Sequence, residues 1–375
     1  MRVLLVASPM VGHVLPLVPL AGALRDAGHD VLVATAADAV APARAAGLEV
    51  RDVAPGFDIR RVFLPTALRH PVLAVRSARG DPGTVLVGHL FAPVADRMAD
   101  RLVRLADEWR PDLVVHEPLA VAGSLVAARR GVPVVLVDMA LFDARELRDS
   151  AAARLGPVLR RHGVDHVPAV AEVLVTAPPS VTRASRGRPM RHVPVAGDRP
   201  APEELTRPGP RPRVIVTRST VDDPRPDPMM RRVAAAAADA DVDVVLVRPD
   251  RRTARAQLPP NVTVVDWLPF ATVFPAAGGV VHHGGAGTLL TALAAGVPQL
   301  VVPGAGDRTV HARLVAARGA GLAVPAGEIT AAHLERLVSD PGLARAAREV
   351  AAEIAAMPAP REVAGQLTAL LGALP

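Results

Sequence analysis

Short uninterrupted runs of valine and leucine recur along the chain, separated by stretches of alanine, leucine and arginine with helical character. The runs are Val3–Val6, Val31–Ala34, Leu113–Val115, Val134–Val137, Val173–Val175, Val214–Val216, Val244–Val247, Val262–Val265, Val280–Val281 and Leu300–Val302. They are continuous rather than alternating. A strand reads this way when helices cover both faces of its sheet. Such strands alternating with helices predict an α/β fold built on parallel sheets. The alternation breaks over residues 55–90 and 139–168.

Near the middle, residues 198–213 (DRPAPEELTRPGPRPR) are rich in proline and charge and poor in apolar residues, which predicts a linker. The chain then restarts: RVIVTRST at 213–220 echoes RVLLVASP at 2–9. The expectation is two facing Rossmann-like doubly wound domains with an interdomain cleft. The first spans residues 1–197 and the second residues 214–375. In such sheets ligands bind beyond the carboxyl ends of the strands, so the residues just after each strand are the candidates for chemistry.

Composition narrows that chemistry. Half the chain is hydrophobic but only 2% is aromatic, so the core is aliphatic. All 43 basic residues are arginine, and Cys, Tyr and Lys are absent. The pI of 11.1 follows from a modest excess of +6 with nothing else to titrate at high pH. Arginine is dispersed and not interleaved with aromatics, so no nucleic-acid partner is expected. Absent Cys excludes a thiolate nucleophile, a disulfide and thiolate-bound metal. Absent Lys excludes a Walker lysine and a Schiff base. Residues 3–24 superficially resemble a signal peptide, but Pro9, Gly12, His13, Pro16 and Pro19 interrupt them. A strand (Val3–Ala7), a loop and a helix (Leu17–Ala27) fit better. No stable membrane insertion and a cytoplasmic location are expected.

The sharpest motif is VVHHGGAGTLLTALAAGVPQLVVP at 280–303. A strand ends at His282, a glycine loop follows, and Thr288 opens an apolar helix that stops at Gly296. Glycines let the main chain approach an anion, and the first N–H groups and dipole of a helix attract it. Gly285, Ala286, Gly287 and Thr288 are therefore anion-binding candidates, with His282 as a hydrogen-bond donor to phosphate. A turn that merely packs strand on helix is the plain alternative. In VDWLPF (265–270), Trp267 and Leu268 follow a strand, and the indole either stacks on a nucleobase or caps the core. Asp307 either accepts hydrogen bonds from sugar hydroxyls or caps the next helix. Thr220 is a further phosphate contact or a cap. Asp241-Val242-Asp243 precedes its strand, lies at the opposite edge, and is not expected to hold a metal.

In the first half, His13 follows the first strand and Glu117 follows the strand in PDLVVHEP (111–118). A carboxylate on one imidazole nitrogen orients the ring and stabilises its charged form, so His13 is a candidate general base. A lone loop histidine is otherwise structural. Asp138 is a second carboxylate at the same edge, able to assist or replace it.

HHGGAGT followed by an apolar helix and AGVPQLVVP, with WLP upstream and Asp307 downstream, resembles the signature of nucleotide-diphosphate-sugar glycosyltransferases of the two-Rossmann (GT-B) type. The likeness is greatest to actinobacterial enzymes that glycosylate macrolides, enediynes and aromatic polyketides. MRVLLVASPMVGHVLPLVPLAGALRDAGHDV is similar to their N-termini, and the resemblance runs nearly end to end. It implies a donor, commonly a dTDP- or UDP-sugar, held by the C-terminal half, and a last helix that crosses back to the N-terminal one. It implies metal-independent, inverting transfer without a cofactor. The family's phosphate histidine corresponds to His282, its anion loop to Gly285–Thr288, its stacking indole to Trp267, its sugar-reading acid to Asp307 and its catalytic dyad to His13 and Glu117. This chain departs from the pattern with Arg308 after Asp307, where the family commonly has Gln. It has Ser219-Thr220 in place of Gly-Thr. Glu117 in place of Asp shifts the carboxylate by one methylene, which loosens the dyad.

The resulting expectation is transfer of a (deoxy)sugar to a hydroxyl of an apolar aglycone. Phe57, Phe63, Asp138, Met139 and Phe142 are the candidate acceptor contacts, and a homodimer is left open. The alternatives are C-glycosylation of an aromatic aglycone with Asp138 as base, and a non-catalytic partner protein of the same fold.

Overall fold

The computed structural model describes residues 1–78, 83–182, 186–195, 197, 199–220 and 228–372. The chain forms two compact units. The first comprises residues 1–177, 184–191 and 357–375, and the second residues 178–183 and 192–356.

The first unit holds a seven-stranded sheet: β1 (Arg2–Val6), β2 (Asp30–Thr35), β3 (Val50–Asp52), β4 (Leu113–His116), β5 (Val134–Asp138), β6 (Glu172–Val175) and β7 (Arg188–Pro189). Its order is β3-β2-β1-β4-β5-β6-β7, and every pairing is parallel. The second unit holds six strands: β8 (Arg213–Thr217), β9 (Asp243–Val247), β10 (Val262–Val265), β11 (Gly279–His282), β12 (Gln299–Val301) and β13 (Gly321–Ala323). Their order, β10-β9-β8-β11-β12-β13, is also parallel throughout. The doubly wound α/β reading therefore holds in each unit. In each sheet the order reverses beside the first strand, at β1/β4 and at β8/β11, which is where such folds bind ligands.

The valine and leucine runs are these strands, and outside the edge strand β10 their side chains are largely buried on both faces. Burial of each Val or Leu contributes about 1.5–3 kcal/mol, so the central strands anchor each unit. The first core also takes Leu20 and Leu24 from helix Val18–Asp26, Leu17 from the turn before it, and Val363, Ala364 and Leu367 from the closing helix Pro360–Gly372. That helix thus belongs to the first unit although it ends the chain.

Several expectations change. Strands β3, β7 and β13 went unread; each is two or three residues long and lies at a sheet edge, where no continuous apolar run is needed. Segment 198–213 is not a bare linker. Glu203–Leu205 form a 3-10 turn, Leu205 enters the core beside Ile215 and Phe274, and Arg213 opens β8 while its guanidinium donates to the carbonyls of Glu204 and Arg207. One buried leucine is invisible in a window dominated by proline and charge. Residues 55–90 and 139–168 break the alternation by adding helices without strands: Arg60–Arg69, Pro71–Ala78, Thr84–Trp109, Arg145–Ala152 and Gly156–Arg161. Among the described residues, no helix is long and apolar enough to cross a membrane.

Two glycines should respond oppositely to alanine. A Cβ on Gly321 would sit 2.2 Å from the Gln299 carbonyl oxygen, a main-chain atom that cannot yield. Gly321→Ala should lower stability by roughly 1–3 kcal/mol. Gly22 lies inside helix Val18–Asp26 with nothing within 4 Å of such a Cβ. Gly22→Ala should raise stability by about 0.5–1 kcal/mol. Urea unfolding midpoints of the two variants would check both signs.

Candidate functional site

Because the strands of each sheet all run one way, the residues that follow them gather along one edge. In the first unit that edge carries His13 and Glu117. His13 sits not in an open loop but in a one-turn helix, Val11–Val14, after β1. Its Nδ1 lies 3.2 Å from Glu117 Oε2. Glu117 is almost wholly buried, and both its oxygens are held: the Ser8 N–H donates to Oε1 at 3.0 Å and the Leu119 N–H to Oε2 at 2.7 Å. Burial pushes this carboxyl up, but the His13 charge and the N–H donors outweigh it and hold it at about 2. The longer side chain therefore does not loosen the dyad, because main-chain donors pin the carboxylate from both strand ends. With Nδ1 facing the carboxylate, the ring carries its lone pair on Nε2, as a general base requires.

The residue before Glu117 escaped sequence reading. His116 ends β4 fully buried, its Nδ1 on the Glu117 carbonyl and its Nε2 on Ser124 Oγ, both at 2.8 Å. Burial lowers it to about 4, so it is a neutral structural group.

Asp138 does not fit the role of alternative base. It is buried, and its two oxygens accept from the main-chain N–H groups of Ala140 at 2.9 Å and Ala144 at 3.0 Å. It closes the turn after β5. Burial, partly offset by those donors, raises it to about 6. Met139 and Phe142 lie in that turn, both partly buried. Phe63 meets Phe91 edge-on at 5.4 Å, and the Phe91 ring centre is 5.9 Å from that of His13. Phe91, on helix Thr84–Trp109, is thus an aromatic neighbour of His13 that the sequence did not single out. Phe57 lines a different surface, a groove with Arg61, Arg97, Arg101 and Arg104. That groove is charged, so Phe57 is withdrawn from the apolar acceptor contacts.

In the second unit, β11 ends at His282, and helix Ala286–Ala294 begins two residues earlier than expected, with Gly285 at its N-cap. His282 is not available to a ligand. It is fully buried, its Nε2 bonds Gln299 Oε1 at 2.7 Å, and its Nδ1 accepts the Gly284 N–H at 3.1 Å. Burial lowers it to about 4. The neighbouring histidine is placed differently. His283 follows the strand, and its Nδ1 is cut off from solvent without a hydrogen-bond partner. Burial and the nearby Arg308 charge hold it well below the usual histidine range. A buried nitrogen without a partner costs stability. The doubled histidine was visible in the sequence; which ring faces outward depends on where the strand stops.

The loop geometry demands glycine at 284. Its φ is +84°, and a Cβ there would meet Arg308 Cα at 3.3 Å. The Gly284 carbonyl accepts from His311 Nδ1 at 2.9 Å, a buried contact that sequence reading missed. At Gly287 nothing lies within 4 Å of a Cβ position, and Ala286 and Thr288 are only partly buried. The first turn of the helix is thus open.

Asp307 stands at the N-cap of helix Arg308–Arg318 but makes no side-chain cap; its carboxylate is half-exposed, 3.7 Å from His311 Nδ1. Trp267 is partly buried, with the Arg199 guanidinium 4.3 Å from its ring centre and Gly197 at its edge. Leu268 is a core residue packed with Val273 and Phe274, so its side chain is no donor contact. Thr220 is exposed beyond β8. Asp243, last of the DxD triplet, opens β9 at the opposite edge and pairs with Arg211. No group of three or more His, Asp or Glu side chains converges among the described residues.

Known proteins match nearly the whole chain. The family models described as "Erythromycin biosynthesis protein CIII-like", N-terminal and C-terminal domains, match residues 22–219 and 231–370. Elloramycin glycosyltransferase ElmGT of Streptomyces olivaceus is 39% identical, covering 99% of this chain and 98% of that protein. L-demethylnoviosyl transferase of Streptomyces niveus is 34% identical over 98% of each. The crystal structure of glycosyltransferase SnogD from Streptomyces nogalater superposes with a TM-score of 0.83 at 36% identity, covering 99% of both chains. That of SsfS6 from Streptomyces sp. SF2575, complexed with thymidine diphosphate, gives 0.83 at 29% identity, covering 98% of this chain and 99% of that one.

Glu117 and Asp138 should leave opposite signatures in stability against pH. Glu117 is depressed from 4.5, so its contribution is present above that value and lost as pH falls towards 2. The penalty of Glu117→Gln should be larger at pH 7 than at pH 3. Asp138 is raised from 3.8, so its stabilising protonated form is lost as pH rises through 6. The penalty of Asp138→Asn should be largest at pH 4 and smaller at pH 7, by on the order of 2–3 kcal/mol. Denaturant titrations across pH 3–7 would read both.

Proposed function

The chain belongs to the erythromycin biosynthesis protein CIII-like family and is a natural-product glycosyltransferase of the GT-B fold; from that premise we propose that it moves a deoxysugar from a nucleoside-diphosphate donor to a hydroxyl of an apolar aglycone, with inversion and without a metal. The observation that carries this is the His13–Glu117 pair at the first switch point. Glu117 is ionised at every working pH and stabilises the imidazolium that forms when His13 Nε2 takes the acceptor's proton. The oxygen then attacks the anomeric carbon as the bond to the diphosphate breaks.

Negative charge grows on that leaving group. The open helix start at Gly285–Thr288 presents main-chain N–H groups to it, and the His283 ring, whose Nδ1 has no internal partner, lies beside them. Thymidine diphosphate in SsfS6 supports a dTDP-sugar over a UDP-sugar. Trp267 offers its indole to the base and Asp307 its half-exposed carboxylate to sugar hydroxyls. Phe63, Met139 and Phe142 are the acceptor contacts assigned here. C-glycosylation through Asp138 gains no support, because that carboxylate is spent on its own turn.

His13→Ala should reduce kcat about 10²–10⁴-fold and leave the affinity for thymidine diphosphate unchanged. His283→Ala should weaken that affinity with the fold intact, whereas His282→Ala should chiefly lower the melting temperature. Turnover assays with calorimetry on the three variants decide the matter: undiminished turnover in His13→Ala would remove the proposed base.

A further inference from the structure

Several arginines pair with carboxylates: Arg129 with Asp107, Arg145 with Asp143, Arg188 with Glu172 and Arg318 with Glu349. Arg308 does not. It is partly buried, yet it has no carboxylate partner among the described residues. A guanidinium with no carboxylate beside it keeps its N–H fork open to an anionic ligand.

Its position says what that is. Arg308 opens helix Arg308–Arg318, and its Cα and Cβ pack against Gly284 of the anion loop. Its stem crosses Gly304, where a Cβ would come within 3.2 Å of Cδ and 3.8 Å of Nη1. Its charge reaches the His283 ring. His311 on the same helix ties that helix to the loop through the Gly284 carbonyl. Two helix starts, an orphaned imidazole nitrogen and an unpaired guanidinium thus meet at one stretch of the second sheet's edge. Arg248, left-handed at φ +53°, donates to the Ser219 carbonyl on the neighbouring strand exit and adds to the positive field there.

We propose that Arg308 is the cation of the donor site: its guanidinium binds the diphosphate that the Gly285–Thr288 amides and His283 receive, neutralising charge in the ground state and on the departing nucleoside diphosphate. This rests on the donor assignment above. A guanidinium suits two adjacent phosphate oxygens because its N–H groups form a planar fork.

The test is calorimetry of thymidine diphosphate and of thymidine, which lacks the phosphates, against wild type, Arg308→Gln and Arg308→Lys. Arg308→Gln should weaken thymidine diphosphate binding roughly tenfold to a hundredfold, and Arg308→Lys, which keeps the charge but not the planar fork, should weaken it less. Thymidine binding should be the same in all three. Raising salt should weaken the wild type more than Arg308→Gln. With no ion pair among the described residues to lose, Arg308→Gln should leave the melting temperature without ligand about unchanged. Equal affinity of wild type and Arg308→Gln for thymidine diphosphate overturns the proposal and leaves the donor site standing. So does an equal loss in Arg308→Lys and Arg308→Gln, since packing alone would then be at work. A wild type that binds neither thymidine nor uridine diphosphate overturns the donor assignment itself.

Discussion

The parallel strand ladder, buried on both faces, is the constraint on which everything else in each unit depends. Its main-chain hydrogen bonds leave no room for an unpaired polar side chain within a strand, because such a group would be desolvated with nothing to bond. Polar side chains therefore either find an internal partner or sit just past the strand end. Both sheets show this at the same register. His116 and His282, last in β4 and β11, have both ring nitrogens bonded inside the protein. The next residue, Glu117 or His283, turns towards the edge. A one-residue step separates scaffold from chemistry.

The two edges carry opposite electrostatics. In the first unit a buried carboxylate is held ionised by two N–H donors and an imidazole, which suits a base that must become cationic. In the second, the loop and helix start combine with His283 and Arg308, and no carboxylate bonds that guanidinium among the described residues. In a chain without lysine, the positive groups at this edge are arginine, imidazole and main-chain amides.

The fold was legible because burial on both faces writes a strand as an unbroken apolar run, and because an Arg–strand–small-residue opening occurs twice. The dyad was legible because His13 and Glu117 each follow such a run, and parallel strands must deliver their ends to one edge. Edge strands β3, β7 and β13 were not, since half-paired strands of two or three residues need no apolar signature. The buried Leu205 was lost in a window of proline and charge.

The sequence by itself determined the α/β class, the two repeats, the excluded chemistries and the identity of the loops that matter, because periodicity and residue type are local properties. Only the tertiary structure decided which of two adjacent histidines has both ring nitrogens bonded inside, that Asp138 closes a turn, that Leu268 belongs to the core and that Arg308 has no carboxylate partner among the described residues. Those facts depend on which distant groups surround a side chain, and neither spacing nor composition records that.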